Sequence, residues 1–272
     1  MLTPEPVRIA IYGASGRMGA ALLEAAAGFR GVRVESALVR AQSACVDEVV
    51  PGHEGAGQDD LTFQSALDPD LAVDVLIDFS AGEAFDNALA IAVEHRIAFV
   101  SGTTGLEPAQ QLGLQNAALR IPVLWSANFS LGVALLKRLS AEAAAALGPE
   151  FEVEIIEAHH ARKEDAPSGT ALALGRAIAE ARGLDLDQVA RRARDGMVGA
   201  RDPDEIGFSI IRGGDIVGEH TVMFIAVGER IELTHRAATR DLFARGALRA
   251  AQWIKGRPAG LYSVEDVISA VA

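Results

Sequence analysis

The chain has 272 residues, half of them apolar, which is enough to bury a sizeable core and points to two domains or one large α/β domain with an insertion. Its 25 basic against 37 acidic residues give a formal net charge of -12, which repels a phosphate backbone, and the aromatic residues are too few for a base-stacking platform, so nucleic acid is not an expected partner. A single cysteine, Cys45, excludes an internal disulfide or a CxxC redox pair; no apolar run reaches membrane-spanning length without a charge, and MLTPEP lacks a basic segment leading into an apolar stretch, so a cytoplasmic location is the default expectation.

The first segments read as strand, Gly-rich turn and helix: VRIAIY from Val7 to Tyr12, then GASGRMG, then AALLEAAAGF. Gly13, Gly16 and Gly19 follow a GxxGxxG spacing, a variant of the dinucleotide fingerprint. Small residues there let the backbone approach a pyrophosphate, whose charge is met by N–H groups and the helix dipole. The second strand is VRVESALV, ending at Val39. An NAD-preferring site places Asp or Glu at such a strand end, whereas this chain has Arg40, which suits a 2′-phosphate, and Arg17 adds a second positive charge. NADPH is favoured over NADH, with NADH still possible.

From Ala41 to Asp60 the pattern dissolves into what reads as a mobile surface loop, in which His53 has no assigned role. AVDVLIDFS then reads as a parallel strand buried on both faces, with Asp78, Phe79 and Ser80 at its carboxyl end, where ligands bind in such sheets. The helix EAFDNALAIAVEH follows, then the strand and small-residue turn AFVSGTTG, the helix PAQQLGLQNAALR and the strand IPVLWSANFS. At least five strands alternate with helices, which predicts an α/β fold built on a doubly wound parallel sheet. Gly102, Thr103 and Thr104, with Ser126, Ala127, Asn128 and Phe129, then share a rim with the Gly-rich turn.

LGVALLKRLSAEAAAALG reads as a helix leaving this first domain. Alternating Phe151, Val153 and Ile155 predict a strand running into His159 and His160, and TALALGRAIAEARG predicts a helix after Pro167 and Ser168 that ends at Gly183. Strand-like runs in IGFSIIRGGDIVGEHTVMFIAV and GERIELTHRAATR, separated by Gly-Gly-Asp and Gly-Glu, suggest hairpins in a second, mixed domain. His220 and His235 fall inside these strands and are read as packing residues. DLFARGALRAAQWIKG is a long amphipathic helix, and GLYSVEDVISA closes a tail expected to pack back onto the first domain.

The stretch EIIEAHHARKEDAPSGT, Glu154 to Thr170, concentrates the reactive groups. His159 or Lys163 could deliver a proton to a substrate positioned for hydride transfer. The N–H groups of Ser168, Gly169 and Thr170 at a helix start could bind a substrate carboxylate. Adjacent histidines on a strand point to opposite faces, and with no third ligand beside them no metal is expected.

Taken together as HHxxKxDAPSGT, with GASGRMG, DFS, SGTTG, SANFS and RGGDIVGEHTVMF in order along almost the whole chain, these residues closely resemble the dihydrodipicolinate reductase family. The resemblance implies a Rossmann-type doubly wound parallel sheet plus a smaller α+β substrate and oligomerisation domain with a mixed sheet. The expected division is 1–130 for the dinucleotide, 131–240 for substrate and oligomerisation, and 241–272 returning to the first domain. It implies that Gly13, Ala14, Ser15, Gly16, Arg17 and Met18 form the pyrophosphate loop, and that Gly102 to Thr104 and Ser126 to Phe129 flank the nicotinamide. His159 is implied as proton donor, Lys163 as a second catalytic acid, and His160, Gly169 and Thr170 as holders of the substrate's carboxylates. The reaction implied is reduction of a cyclic, nitrogen-containing dicarboxylate to tetrahydrodipicolinate, by a homotetramer. Separately, two domains joined at about residues 129–131 and again near Arg240 are expected to close on ligand. Family members commonly carry an acidic residue before the arginine of the second strand; Val39 here strengthens the NADPH preference. The alternatives are another reductase of the same architecture, which would lack HHxxKxDAPSGT, and a catalytically silent NADPH-binding sensor.

Overall fold

A computed structural model describes residues 5–53 and 60–269. The chain divides into two compact units, Met1–Phe129 with Asp241–Ala272, and Ser130–Arg240. The first runs β1 (Val7–Tyr12), α1 (Arg17–Ala27), β2 (Val32–Leu38), β3 (Phe63–Gln64), β4 (Val75–Asp78), α2 (Gly82–His95), β5 (Ala98–Ser101), α3 (Pro108–Ala118) and β6 (Pro122–Trp125). The second holds α4 (Leu131–Leu147), β7 (Glu152–His159), α5 (Gly169–Ala181), α6 (Leu186–Val189), β8 (Ala190–Arg191), β9 (Ile206–Arg212), β10 (Gly218–Ala226) and β11 (Glu229–Ala237). The chain then re-enters the first unit with α7 (Asp241–Ile254), β12 (Gly260–Tyr262) and α8 (Val264–Ser269). Among the described residues no helix is long and apolar enough to cross a membrane.

The first unit's sheet is parallel throughout, in the order β12-β6-β5-β4-β1-β2-β3. Strands covered by helices on both faces need apolar side chains on both, and all four residues of β4 and of β5 are accordingly buried. On one side α2 and α3 contribute Phe85, Leu89 and Leu114, with the Phe85 and Phe99 rings edge-on at 5.9 Å. Elsewhere in the unit α7 buries Ala244, Ala247, Leu248 and Ala251, the i, i+3, i+4, i+7 stripe of an amphipathic helix. Its backbone comes so near β6's exit that a Cβ at Gly246 would collide with the Phe129 carbonyl. The chain leaves β1 toward β2 and returns on the other side as β4, so the turn after β1 stands at the switch point, where open α/β sheets form their ligand crevice.

Part of the segment expected to be a mobile loop is tied to the sheet. Asp47 N donates to Phe63 O at 2.8 Å, Phe63 N to Glu48 O at 2.9 Å and Val50 N to Leu61 O at 2.8 Å, with Val50 fully buried. These bonds hold the two-residue strand β3, too short to carry a periodicity of its own; residues 54–59 of that expectation lie outside the described residues.

The second unit's sheet is mixed, in the order β11-β10-β7-β9-β8, with β9 parallel and β10 antiparallel to β7. Val153, Ile155, Phe208, Val222 and Phe224 form its core with Leu136 of α4 and Leu174 and Ile178 of α5. Each such buried side chain contributes roughly 1.5–3 kcal/mol relative to exposure. The hairpin expected at Gly213-Gly214-Asp215 is corrected: β9 and β10 lie on opposite sides of β7, and their connection crosses its end. There Gly213 N donates to His159 O at 3.0 Å and Ala161 N to Gly214 O at 3.2 Å. Glycines allow a sharp reversal but do not choose the partner strand, and β7 is the apolar strand able to pair on both edges. The hairpin does form between β10 and β11, at Val227 and Gly228, whose φ of 87° requires glycine.

Candidate active site

In the first unit, Gly13 leaves β1 with φ 78°, and both Gly13 N and Ala14 N donate to Leu38 O at 3.0 Å, tying the turn to β2. These two N–H groups are therefore satisfied within the protein, and the open donors belong to the start of α1, which Gly16 caps. Ala14 is buried, Ser15, Gly16 and Arg17 are exposed and Met18 is half-buried. A Cβ at Gly19 would collide with the carbonyls of Gly13 and Ala14, so only glycine lets the helix sit directly on the turn. That cradle fits a dinucleotide pyrophosphate. Tyr12 pairs with Leu38 across β1 and β2, so the exposed Arg40, after buried Val39, projects from the same ends as the turn.

Asp78 is fully buried and turns into the protein rather than toward a ligand. It accepts from Ser101 Oγ and Thr103 Oγ1, both at 2.8 Å, and from Ser80 N at 3.0 Å. Gly102 N donates to Asp78 O at 2.9 Å, Trp125 Nε1 to Thr103 O at 2.9 Å and Ser126 N to Ser101 O at 3.2 Å. Ser126 Oγ then donates to Asn128 O at 2.8 Å, and the Phe129 ring lies 5.3 Å from Phe79. A Cβ at Gly102 would strike the Phe79 ring. The structure thus brings Gly102, Thr103 and Thr104 together with Ser126, Ala127, Asn128 and Phe129 on one rim. Thr103 and Phe129 are buried supports, while Thr104 and Ala127 face outward.

In the second unit, alternation along β7 points Val153, Ile155, Glu157 and His159 to the core face. Glu157 is fully buried. Its Oε2 lies 2.6 Å from His159 Nδ1 and accepts from Arg212 Nη1 at 2.7 Å, and its Oε1 accepts from Arg212 Nη2 at 2.8 Å and Ser168 N at 3.0 Å. Burial pushes this carboxyl up, but bonds from Arg212, His159 and the Ser168 N–H outweigh it and hold it below the usual range. Arg212 reaches it because β9 pairs Arg212 with His159 in register. His220, expected to be a packing residue, packs on His159 and sets its Nε2 3.2 Å from Ser168 Oγ, the hydroxyl that caps α5 by accepting from Ala171 N. His235 has Ser130 Oγ 3.4 Å from its Nε2.

His160 lies just beyond β7, half-buried, with Nε2 3.4 Å from Arg240 Nη2. Burial first, then Arg240 and Arg162, hold its imidazole below the ordinary histidine range. Lys163 Nζ donates to Asp165 Oδ1 at 2.7 Å; that lysine above all, and to a lesser degree the Gly169 N–H, keep Asp165 ionised below the usual range. Asp165 therefore already engages donors expected for a substrate carboxylate. The N–H of Ser168, expected among them, is committed to Glu157, leaving Gly169 and Thr170 as the first residues of α5. Among the described residues no group of three or more His, Cys, Asp or Glu is arranged to hold a metal ion.

The residues missed by sequence reasoning are Glu157, Arg212, Arg240 and the inward role of Asp78. Glu157 carried a signal: a carboxyl at a core-facing position of an alternating strand must find buried partners. Arg212 opens the RGGDIVGEHTVMF run that carries the resemblance, but only the pairing of β9 beside β7 brings it to Glu157.

Residues 7–129 match the family model described as dihydrodipicolinate reductase, N-terminus, and residues 132–268 that described as dihydrodipicolinate reductase, C-terminus. The chain is 46% identical over 263 residues to the 4-hydroxy-tetrahydrodipicolinate reductase of Syntrophotalea carbinolica, covering 96% of this chain and 98% of that one. It is 47% identical over 262 residues to the protein of the same name from Thiobacillus denitrificans, with the same coverage. A dipicolinate-bound dihydrodipicolinate reductase from Paenisporosarcina sp. TG-14 shares the fold with a TM-score of 0.76 at 22% identity, over 96% of this chain and 99% of that one. The two matched models meet where the first unit hands over to the second, the C-terminal one running on through the residues that re-enter the first unit, and with relatives near half identical over almost its full length, the chain belongs to the dihydrodipicolinate reductase family.

Proposed function

We propose that the chain reduces 4-hydroxy-tetrahydrodipicolinate to tetrahydrodipicolinate in diaminopimelate and lysine biosynthesis, with NADPH preferred over NADH. The observation that carries this reading is the buried pair of Glu157 with His159, the first residue of HHxxKxDAPSGT, in a chain whose residues 7–129 and 132–268 match this reductase family. Conversion between these two compounds adds a hydride and a proton and removes water. When bound, the nicotinamide supplies the hydride. Residues Gly13 to Met18 and the start of α1 hold the pyrophosphate, Arg40 and Arg17 meet the 2′-phosphate, and Gly102 to Thr104 with Ser126 to Phe129 flank the nicotinamide.

His159 supplies the proton, with Lys163 as the second acid. The dicarboxylate's negative charge is met by Lys163, by the N–H groups of Gly169 and Thr170, and by His160 with Arg240 beside it. A substrate carboxylate takes Asp165's position beside Lys163. Residues 1–130 and 241–272 form the cofactor domain in this reading, and 131–240 the substrate domain. The outer face of its sheet, where Ile211 is exposed, supports the homotetramer, whose mass light scattering of the intact protein measures. A cytoplasmic location accords with the same reading.

The test is to follow nicotinamide oxidation while a dihydrodipicolinate synthase supplies fresh substrate, with NADPH and NADH compared. Oxidation that depends on the synthase, and runs at a lower KM for NADPH, is the expected result. Cofactor binding without turnover would favour a silent sensor instead.

A further inference from the structure

Glu157 carries more interaction than a packing role requires. An ion pair taken wholly out of water stabilises the fold only when its remaining lone pairs are met, and a hydrophobic residue of similar size is often no worse. Here every donor around the carboxyl comes from a different element: His159 from β7, Arg212 from β9 and Ser168 from the start of α5. A carboxylate in a two-point contact with a guanidinium can only accept. The hydrogen between Glu157 Oε2 and His159 Nδ1 therefore belongs to the ring, which fixes the tautomer. The other nitrogen, Nε2, faces β10 at Gly218, where a Cβ would stand 3.1 Å away, so a side chain at 218 would crowd it. His220 flanks the ring edge-on, and His160 and Lys163 follow along the chain.

We propose that Glu157, kept ionised by Arg212, is the positioning residue of His159, holding Nδ1–H so that Nε2 is the nitrogen that gives up the proton. This rests on the reductase reading above. In the transfer the Nε2–H bond breaks as a new bond to hydrogen forms on the substrate, the hydride coming from the nicotinamide cofactor, which would be oxidised, and the substrate's hydroxyl leaving as water. The ring is left neutral with Nδ1–H still on Glu157, and water returns a proton to Nε2 before the next turnover.

The experiment is a ring-nitrogen correlation spectrum of the intact protein labelled with ¹⁵N-histidine, recorded at alkaline pH, with His159 assigned from a His159→Ala sample. Wild-type protein is expected to carry the hydrogen on Nδ1, and Glu157→Gln to move it to Nε2. In the same variant kcat should fall about 100-fold with KM close to wild type, the loss expected when a reacting group is held in the wrong geometry. A wild-type ring protonated on Nε2, or a folded Glu157→Gln protein whose ring keeps Nδ1–H, would overturn the proposal. The wild-type spectrum decides even where the variant does not fold. Wild-type protein without turnover would count against the reductase reading instead, because the spectrum reports the Glu157 bond without catalysis.

Discussion

His220 presents its ring edge-on to His159, with centroids 5.2 Å apart and planes at 74°. Two histidines in one buried pocket would repel each other if both were charged. Burial, with a further contribution from His159, pushes His220 down from 6.5 to about 4.

The sign of the resulting pH dependence is fixed. His220 binds a proton near 6.5 in the unfolded chain but only near 4 in the fold, so the unfolded state holds more protons between those values and stability rises with pH across that window. The group is expected to withdraw up to roughly 3 kcal/mol as pH falls from neutral toward 4. Urea unfolding of wild type and His220→Gln at several pH values checks this. The variant should show a shallower loss on the acid side; parallel curves would remove His220 as the cause.

Asp78 should matter to both cofactors equally. Removing its carboxyl leaves the hydroxyls of Ser101 and Thr103 and the Ser80 N–H without their buried partner, at a cost of about 1–3 kcal/mol per stranded group. Asp78→Ala is expected to lower the unfolding midpoint and to weaken NADPH and NADH by the same factor. Titration calorimetry that finds unchanged affinity for both would show that the Gly102–Thr104 turn keeps its shape without it.

Arg40 should separate the two cofactors. A charge-assisted bond to a phosphate contributes about 1.5–3 kcal/mol, so Arg40→Ala is expected to weaken NADPH by roughly tenfold to a hundredfold and to leave NADH nearly untouched. Fluorescence titration with each cofactor measures the ratio. Equal losses would make Arg40 a support of the turn in which Ser43 N donates to its carbonyl at 2.8 Å.

Local periodicity and turn chemistry made much of this protein legible in its sequence. The apolar run of β1, the small residues of GASGRMG and the alternation into His159 each encode one element and its facing. Partner choice across the chain is not encoded locally. The Gly213-Gly214 turn reads as a hairpin, yet β7 intervenes between β9 and β10, and that same insertion brings Arg212 beside Glu157. The short strands β3 and β12 exist because a sheet edge is there to pair with, not because their residues favour it strongly. At the site, residue types pointed to His159, Lys163 and a helix start, but the contacts already made by Asp165 and Ser168 depend on geometry alone.

His159→Ala, assayed at steady state with freshly generated substrate and saturating NADPH, tests the central claim most directly. A proton donor acts in the transition state, so kcat should fall by roughly 10²- to 10⁴-fold while the substrate KM changes little and the protein stays folded. A variant that retains wild-type kcat, or loses efficiency only through KM, would contradict the assignment of His159 as the acid of this reductase.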